Sequence, residues 1–462
     1  MLRYTAFLII ILLVSCTPVK RQSPSLNIPE RFRNDLPETK SSPHLDHWWK
    51  DFNDPLLNDL IERALKHNHD IKLAAERVLE ARAILKAKGS ELFPSINLKA
   101  EATRQKQSFS FSPGGNRTTI TGNSFMFTPV VSYELDLWQR INSSRRASYS
   151  RLISTMEARE AVMQTVLSDL VTLYFERLSL ERKIELTKRR IKNSEDNLKV
   201  ISSRYRRGLS SYLDLLQAKT QLSEVRARLP VLMKQAEDVS YRITLLAGQY
   251  PENIKPENPD YENYISRLRP VNAGIPSELL LRRPDLRVKA AEMEATFEEL
   301  KVSRAKRFPS LSLTANYGWI SDELRGLFKP ESIIWQLSSG ILSPLFDAGR
   351  LKSNEQAALS RYRQSLISYA KAVLQAFYEV ETALMTRKAL YRERQDLMNL
   401  LKDSKLTYDA SLKRYQRGLV DLLTVLNAER QFYLAQEKLI DVDTAILKNR
   451  VFLYRALGGT WT

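Results

Sequence analysis

At 462 residues the chain is long enough for one large core or several domains. Its 71 lysines and arginines outnumber 53 aspartates and glutamates, and the formal charge of +18 by itself points towards nucleic acid. One cysteine excludes a disulfide framework, and all four histidines (His44, His47, His67, His69) lie early in the chain.

The first residues redirect the reading of that charge. Met1-Leu2-Arg3 is a short basic start, and Tyr4 to Val14 is almost wholly apolar. The run is shorter than the roughly 20 residues a spanning helix needs and fits the hydrophobic region of an export signal. It ends in Leu13-Val14-Ser15-Cys16, which resembles a bacterial lipobox. Residues 1–15 are then a lipoprotein signal peptide, and Cys16 becomes an acylated (palmitate-bearing) mature N-terminus. The bland alternative is a buried free cysteine beside a chance apolar run. Thr17 stands where lipobox proteins kept at the inner membrane commonly carry aspartate, so the resemblance implies the outer membrane. An exported chain does not meet the chromosome, so no nucleic-acid partner is expected. Residues 16–46 read as a lipidated N-terminal linker, kept extended by Pro18, Pro24, Pro29 and Pro37.

The rest of the chain is written twice. FPSINLKA at Phe93 recurs as FPSLSLTA at Phe308, and Asp70 recurs as Asp285, both 215 residues later. RYRRGL at Arg204 recurs as RYQRGL at Arg414, and Gly248 as Gly458, both 210 residues later. The first copy thus carries extra residues between Ala100 and Arg140. Two units are expected, 47–257 and 274–462, joined by a linker over 258–273.

Within each unit the elements follow in order. Ile96, Leu98, Ala100 and Ala102 alternate with polar residues, as do Leu311, Leu313, Ala315, Tyr317 and Trp319. Period two predicts strands, with second strands around Phe125–Leu135 and Ile334–Leu342, giving hairpins at about 94–137 and 309–345. Arg140 to Arg207 and Leu351 to Arg417 contain neither glycine nor proline and are rich in helix formers. Each predicts a helix of about 100 Å. Val166, Leu170, Leu173, Phe175 and Leu178 mark an apolar stripe. Each long helix stops at a glycine, Gly208 or Gly418, and a shorter one returns from Tyr212 to Leu246 or from Leu422 to Leu457.

Four long, aromatic, amphipathic strands without an obvious covering helix suggest a membrane barrel. Lipid cannot satisfy open edges and four strands cannot close, so copies of the chain must pool strands. A soluble two-hairpin sheet covered by a helix is the alternative.

These motifs, in this order and duplicated, resemble the outer-membrane efflux protein family (TolC-like channels), within it the lipoprotein (NodT-type) branch serving resistance-nodulation-division pumps. The resemblance covers nearly the whole mature chain. It is carried by HWWKDFNDPLLNDLIERALKHNHDIKLA from His47, GIPSELLLRRPDLRVKAAEMEA from Gly274, FPSLSLTANYG and both RYxRG turns. It implies a mainly α fold with a membrane β-barrel: long α-helical hairpins forming a periplasmic tunnel, and four β-strands per chain completing a twelve-stranded barrel in a homotrimer. It also implies a periplasmic adaptor (membrane fusion) protein and an inner-membrane pump as partners, outer-membrane lipid around the barrel, and a passive channel with a gate at the periplasmic helix tips.

Candidate gate residues follow from the turns. Arg204 and Arg414 are permanent cations able to hold carboxylates through paired hydrogen bonds. Tyr205 and Tyr415 offer a rigid ring with a polar end. Asp214 and Asp421 lie just past the turns and are candidate acceptors or rings of charge. By the resemblance, Leu423 falls where the family's constriction is apolar. Asn427, in Val-Leu-Asn-Ala, falls where well-known members carry aspartate in Leu-Leu-Asp-Ala, which weakens the case for an acidic ring there. Alternatively, the motif is only a good helix stop.

His67-Asn68-His69-Asp70 reads as a helix surface turn rather than a metal site. No phosphate loop, nucleophile elbow or HExxH is present, and neither a cofactor nor an enzymatic reaction is expected. A periplasmic coiled-coil lipoprotein scaffold remains the competing function. It leaves the aromatic strands without a purpose.

Overall fold

The computed structural model describes residues 20–23, 26–34, 46–110, 117–256, 265, 268, 271 and 273–459. The expected signal peptide and Cys16 lie outside these residues, as does some of each expected linker. So does some of the β1–β2 tip.

The element order repeats. The first half carries α1 (Pro55–His67), α2 (His69–Ser90), β1 (Ser95–Ser110), β2 (Arg117–Leu135), α3 (Arg140–Arg206) and α4 (Tyr212–Leu246). The second carries α5 (Pro284–Ala305), β3 (Ser310–Ser321), β4 (Ile333–Leu342), α6 (Arg350–Gln416) and α7 (Leu422–Ala456). The long helices α3 and α6 are both 67 residues, and the return helices α4 and α7 are both 35. Only α1 lacks a full counterpart: a short 3-10 turn (Pro276–Glu278) and a single helical turn (Leu279–Arg282) replace it. No described helix is long and apolar enough to cross a membrane.

The chain divides into two compact units, each drawing on both halves. The unit of residues 77–155 and 288–370 holds the sheet, with strand order β1-β2-β3-β4 and every pair antiparallel. Register sorts the side chains cleanly. Leu98 faces Pro129, Ala100 faces Phe127, Phe127 faces Trp319, and Trp319 faces Ile333, so apolar residues run across all four strands on one face. The opposite face is mainly polar, with Asn97, Lys99 and Thr103 on β1, Ser132 and Thr128 on β2, and Thr314, Asn316 and Gln336 beyond them, interrupted by Met126, Val130, Ile320 and Ile334. Phe328, from the β3–β4 connection, lies edge-on to both Phe127 and Trp319 with ring centres 5.6 and 5.5 Å away.

The β1–β2 hairpin is longer than alternation predicts. Pairing continues past Thr103↔Ser124 to Ser110↔Arg117, through residues polar on both faces such as Arg104, Gln105, Lys106 and Gln107. Backbone hydrogen bonds carry the hairpin on through a stretch in which Ile120 and Phe109 are the apolar members. Beneath the sheet, Phe297 and Leu300 of α5 pack on Ala358, Tyr362 and Leu366 of α6.

The second unit, residues 26–76, 156–287 and 371–462, holds the main core. Trp48 stacks on Tyr454 at 5.2 Å, and Phe52 meets Phe175 edge-on at 4.8 Å. Leu57, Ile61, Leu170, Val171, Val380, Leu384 and Leu447 fill the space around them. His67 closes α1 and His69 opens α2. Between them Asn68 accepts from the Ile71 amide and donates to the Leu246 carbonyl. At the equivalent place in the second half, Arg283 donates to the Ala456 carbonyl.

Candidate functional site at the paired helix turns

The two RYxRG turns are built alike. Gly208 and Gly418 take φ of +74° and +75°, a conformation that costs any other residue its Cβ contacts. The Leu209 amide donates to the Arg204 carbonyl and the Gly208 amide to Tyr205; Leu419 and Gly418 repeat this onto Arg414 and Tyr415. These paired bonds are a Schellman closure, which consumes the last carbonyls of α3 and α6.

The returning helices start under carboxylate caps. Ser211 and Asp214 form a reciprocal capping box, and Asp214 also accepts from the Ser210 hydroxyl at 2.8 Å. Asp421 is the N-cap of α7 and accepts from the Thr424 amide at 2.9 Å. Its hydrogen bonds to Thr424 hold its carboxyl below the usual range. Both aspartates are thus committed to their own helix starts, where the helix dipole favours negative charge.

The arginines behave differently from one another. Arg204 lies over the Tyr415 ring, 5.3 Å from its centre, so the contact joins the end of α3 to the end of α6. A cation on an aromatic face replaces the carboxylate pairing expected from its chemistry. The Nε of Arg204 is buried with no hydrogen-bond partner among the described residues. Arg414 is exposed. Tyr205 packs against Tyr212 with ring centres 5.9 Å apart. Beneath these groups Ile201, Leu215, Ala218 and Leu422 form a small core that Tyr415 and Leu426 adjoin. Leu423 is exposed, and Asn427 is exposed and accepts from Arg430 at 3.2 Å.

One cluster near the turns escapes sequence reasoning. Glu429 is fully buried on α7 and accepts from Asn193 of α3 at 2.6 Å, while its Oε2 has no partner among the described residues. Asn193 also donates to the Tyr408 hydroxyl of α6 at 3.2 Å. Arg190 lies over the Tyr433 ring at 5.1 Å. Burial pushes the Glu429 carboxyl above its usual range, against the pull of Asn193 and Arg190. Burial, then the Glu429 charge, pushes the Tyr433 hydroxyl up to about 12. The signal was present: Leu422, Val425, Glu429 and Tyr433 follow helical spacing, with one charged member on an otherwise core-facing stripe.

The chain matches the family model described as outer membrane efflux protein over residues 60–249 and 275–459. It is 31% identical over 412 residues to the solvent efflux pump outer membrane protein SrpC of Pseudomonas putida, covering 89% of this chain and 87% of that one. It is 30% identical over 460 residues to the pyoverdine export outer membrane protein OpmQ of Pseudomonas aeruginosa, covering 98% and 95%. Its fold matches the outer-membrane channel OprN with a TM-score of 0.87 at 24% identity, over 96% of this chain and 99% of that one. It also matches the open state of the Neisseria gonorrhoeae MtrE outer membrane channel at 0.83 and 26%, over 96% and 98%. With both matched segments falling on the two duplicated halves and the relatives aligned almost end to end, the chain belongs to the outer membrane efflux protein family.

Proposed function

We propose that the chain is the outer-membrane channel of a tripartite efflux pump, conducting cargo passively from periplasm to exterior. The observation that carries this is the sheet: four strands, one continuous apolar face, one mainly polar face, and outer strands β1 and β4 each paired on one side only among the described residues. A sheet with two open edges and a lipid-compatible face is a fragment of a barrel. Three copies supply twelve strands, and the paired helical hairpins of each copy line the periplasmic tunnel. The repeats are 47–257 and 274–462 with the linker 258–273 between them, behind a signal peptide (1–15) and a linker lipidated at Cys16.

Energy comes from an inner-membrane pump of the resistance-nodulation-division type, reached through a periplasmic adaptor. The relatives are named for solvent and for pyoverdine, two chemically unlike cargoes. Selection therefore belongs to the pump, and the channel needs only a polar bore and a closure. The closure is at the RYxRG turns, where the Arg204–Tyr415 contact holds the first hairpin to the second. Conductance of the purified full chain in planar bilayers tests both claims. The wild type is expected to open rarely, and Arg204→Ala and Tyr415→Ala to raise the open probability by a similar factor, roughly ten-fold for the loss of a desolvated cation–π contact. Unchanged closed-state conductance in both variants removes the latch. Absence of any conducting trimer, with the chain released in soluble form once its lipid anchor is cut, favours the scaffold reading instead.

A further inference from the structure

Resting on the reading that the apolar sheet face meets lipid, we infer that a cavity at the base of the sheet binds the phosphate of an anionic phospholipid. The cavity, about 460 Å³, opens where β2 passes into α3, where α5 passes into β3, and where β4 passes towards α6. Its size lies in the range of small-ligand pockets.

Four observations define the occupant. First, three cations line the cavity; Arg140 is held by Glu134, which leaves Lys306 just past the end of α5 and Arg350 at the start of α6. Both are exposed, and neither makes a side-chain hydrogen bond or ion pair among the described residues. Second, the two carboxylates of the lining are already used. Glu134 takes both arms of Arg140 at 3.1 and 2.7 Å, and Asp136 accepts the Ile141 and Asn142 amides that open α3. The unsatisfied charge is therefore positive. Third, Trp138 stacks on Phe308 at 4.9 Å and donates to the Pro309 carbonyl at 2.7 Å, an amphipathic pair of the kind that seats at headgroup level. Fourth, the connection from β4 to α6 carries two bare apolar side chains: in the single chain Leu345 is 96% exposed and Phe346 is 91% exposed. Two adjacent large apolar side chains this open to water are out of place on a soluble surface and fit an acyl-chain region.

A free cation pair beside exposed apolar side chains suits an amphiphile with a phosphate head, since arginine holds phosphate through a fork and lysine as a point charge. A soluble phosphate would leave Leu345 and Phe346 uncovered, and a neighbouring copy joined at the β4 edge would cover them but would bring no phosphate to Lys306 and Arg350. The occupant is thus a phospholipid of net negative charge, with phosphatidylglycerol as the probe.

The test uses the full-length chain in nanodiscs of phosphatidylcholine with a minor share of phosphatidylglycerol, followed by native mass spectrometry of the lipid each released assembly retains. The wild type is expected to favour phosphatidylglycerol over phosphatidylcholine roughly ten-fold, about 1 kcal/mol or a little more for cations near a membrane surface. Lys306→Gln combined with Arg350→Gln should abolish that preference, and each single change should lower it about three-fold. Lys402→Gln combined with Lys405→Gln removes the same charge elsewhere on α6 and should leave the preference intact. Equal retention of both lipids by the wild type overturns the inference, as does a preference that survives the double change at Lys306 and Arg350. Loss of bound phosphatidylglycerol on adding inorganic phosphate assigns the site to free phosphate and also overturns it. A wild type that conducts but shows no lipid preference sinks this inference alone. A wild type that neither conducts nor stays in the nanodisc sinks the channel reading beneath it.

Discussion

Glu429 shows how one side chain can carry a condition-dependent property. Its carboxyl sits above its usual range because it is buried, and its neighbours Asn193, Arg190, Tyr408 and Tyr433 come from three helices. The sign follows from the protonation states. A carboxyl whose pKa is higher folded than unfolded is penalised in its ionised form. The penalty is full above the folded value and is relieved as pH falls through it towards the unfolded value of about 4.3. The wild type should therefore gain thermal stability, relative to Glu429→Gln, as pH falls from neutral towards the unfolded value of about 4.3. Parallel melting curves for the two proteins across that range would show that the carboxyl is solvated after all. At this scale the sequence was only partly legible. The positions of Arg204, Tyr415, Asp214 and Asp421 could be read from the duplicated motif, but not their partners. Arg204 meets a ring in the other half of the chain, Asp214 accepts from the amide of the cap residue Ser211, and Asp421, itself the cap, accepts from the Thr424 amide three residues along. A linear motif carries no record of which helix will lie opposite.

At the scale of elements, four glycines close helices in the same left-handed conformation, yet their surroundings differ. Gly208 and Gly418 have nothing within 4 Å of a would-be Cβ. At Gly248 a Cβ would come 2.4 Å from the His67 carbonyl oxygen, and at Gly458 it would come 3.0 Å from the Arg282 backbone. Alanine at Gly208 or Gly418 should cost about 1–2 kcal/mol, the left-handed penalty alone. At Gly248 the overpacked contact adds to it, for a total of roughly 3 kcal/mol or more. Heat-induced loss of helical ellipticity would rank the variants, and Gly248→Ala melting alongside Gly208→Ala would contradict the packing argument. The long helices were the most legible segments of the chain, since glycine and proline are absent and the stripes are periodic. The strands were legible only where one face is apolar. The polar extension of β1 and β2 is held by backbone bonds that leave no mark in side-chain pattern. The halves also differ in one element interior. Pro230 lies within α4, while Ile440, 210 residues on, keeps α7 free of proline. Proline removes a donor from the ladder there, so the first return helix has a weak point that the second lacks.

At the scale of the whole molecule, the open sheet ties membrane insertion to assembly. Leu337 and Ser338 are neighbours on β4 that face Ala315 and Thr314 respectively, on opposite faces of the sheet. Leu337→Arg should abolish heat-modifiable trimers, at a cost of about 2–4 kcal/mol for an arginine in the bilayer midplane. Ser338→Arg should assemble and alter ion selectivity instead. Gel mobility of unheated and heated samples separates these outcomes. Equal tolerance of both changes would mean that neither face meets lipid. The expectation of more than one chain rests on strand count and edge chemistry. The number of chains was not legible, because nothing in a single strand's pattern fixes the curvature of the closed barrel.

The unbroken length of α3 and α6 has a mechanical consequence. Within the second unit, residues 156–206 of α3 and 371–416 of α6 run about 70 Å without glycine or proline, and each closing turn keeps its own hydrogen bonds. Nothing at the turn needs to unfold for it to move. A tilt of about 3° at one end of such a rod carries the other about 4 Å sideways, most of one helical pitch. Sub-ångström adjustments where the rod is held thus become displacements large enough to pull a cation off the ring it covers. The helix works as a lever, its fulcrum and its load at opposite ends, and substitutions far from the turns should change how often the channel opens without changing what the turns look like.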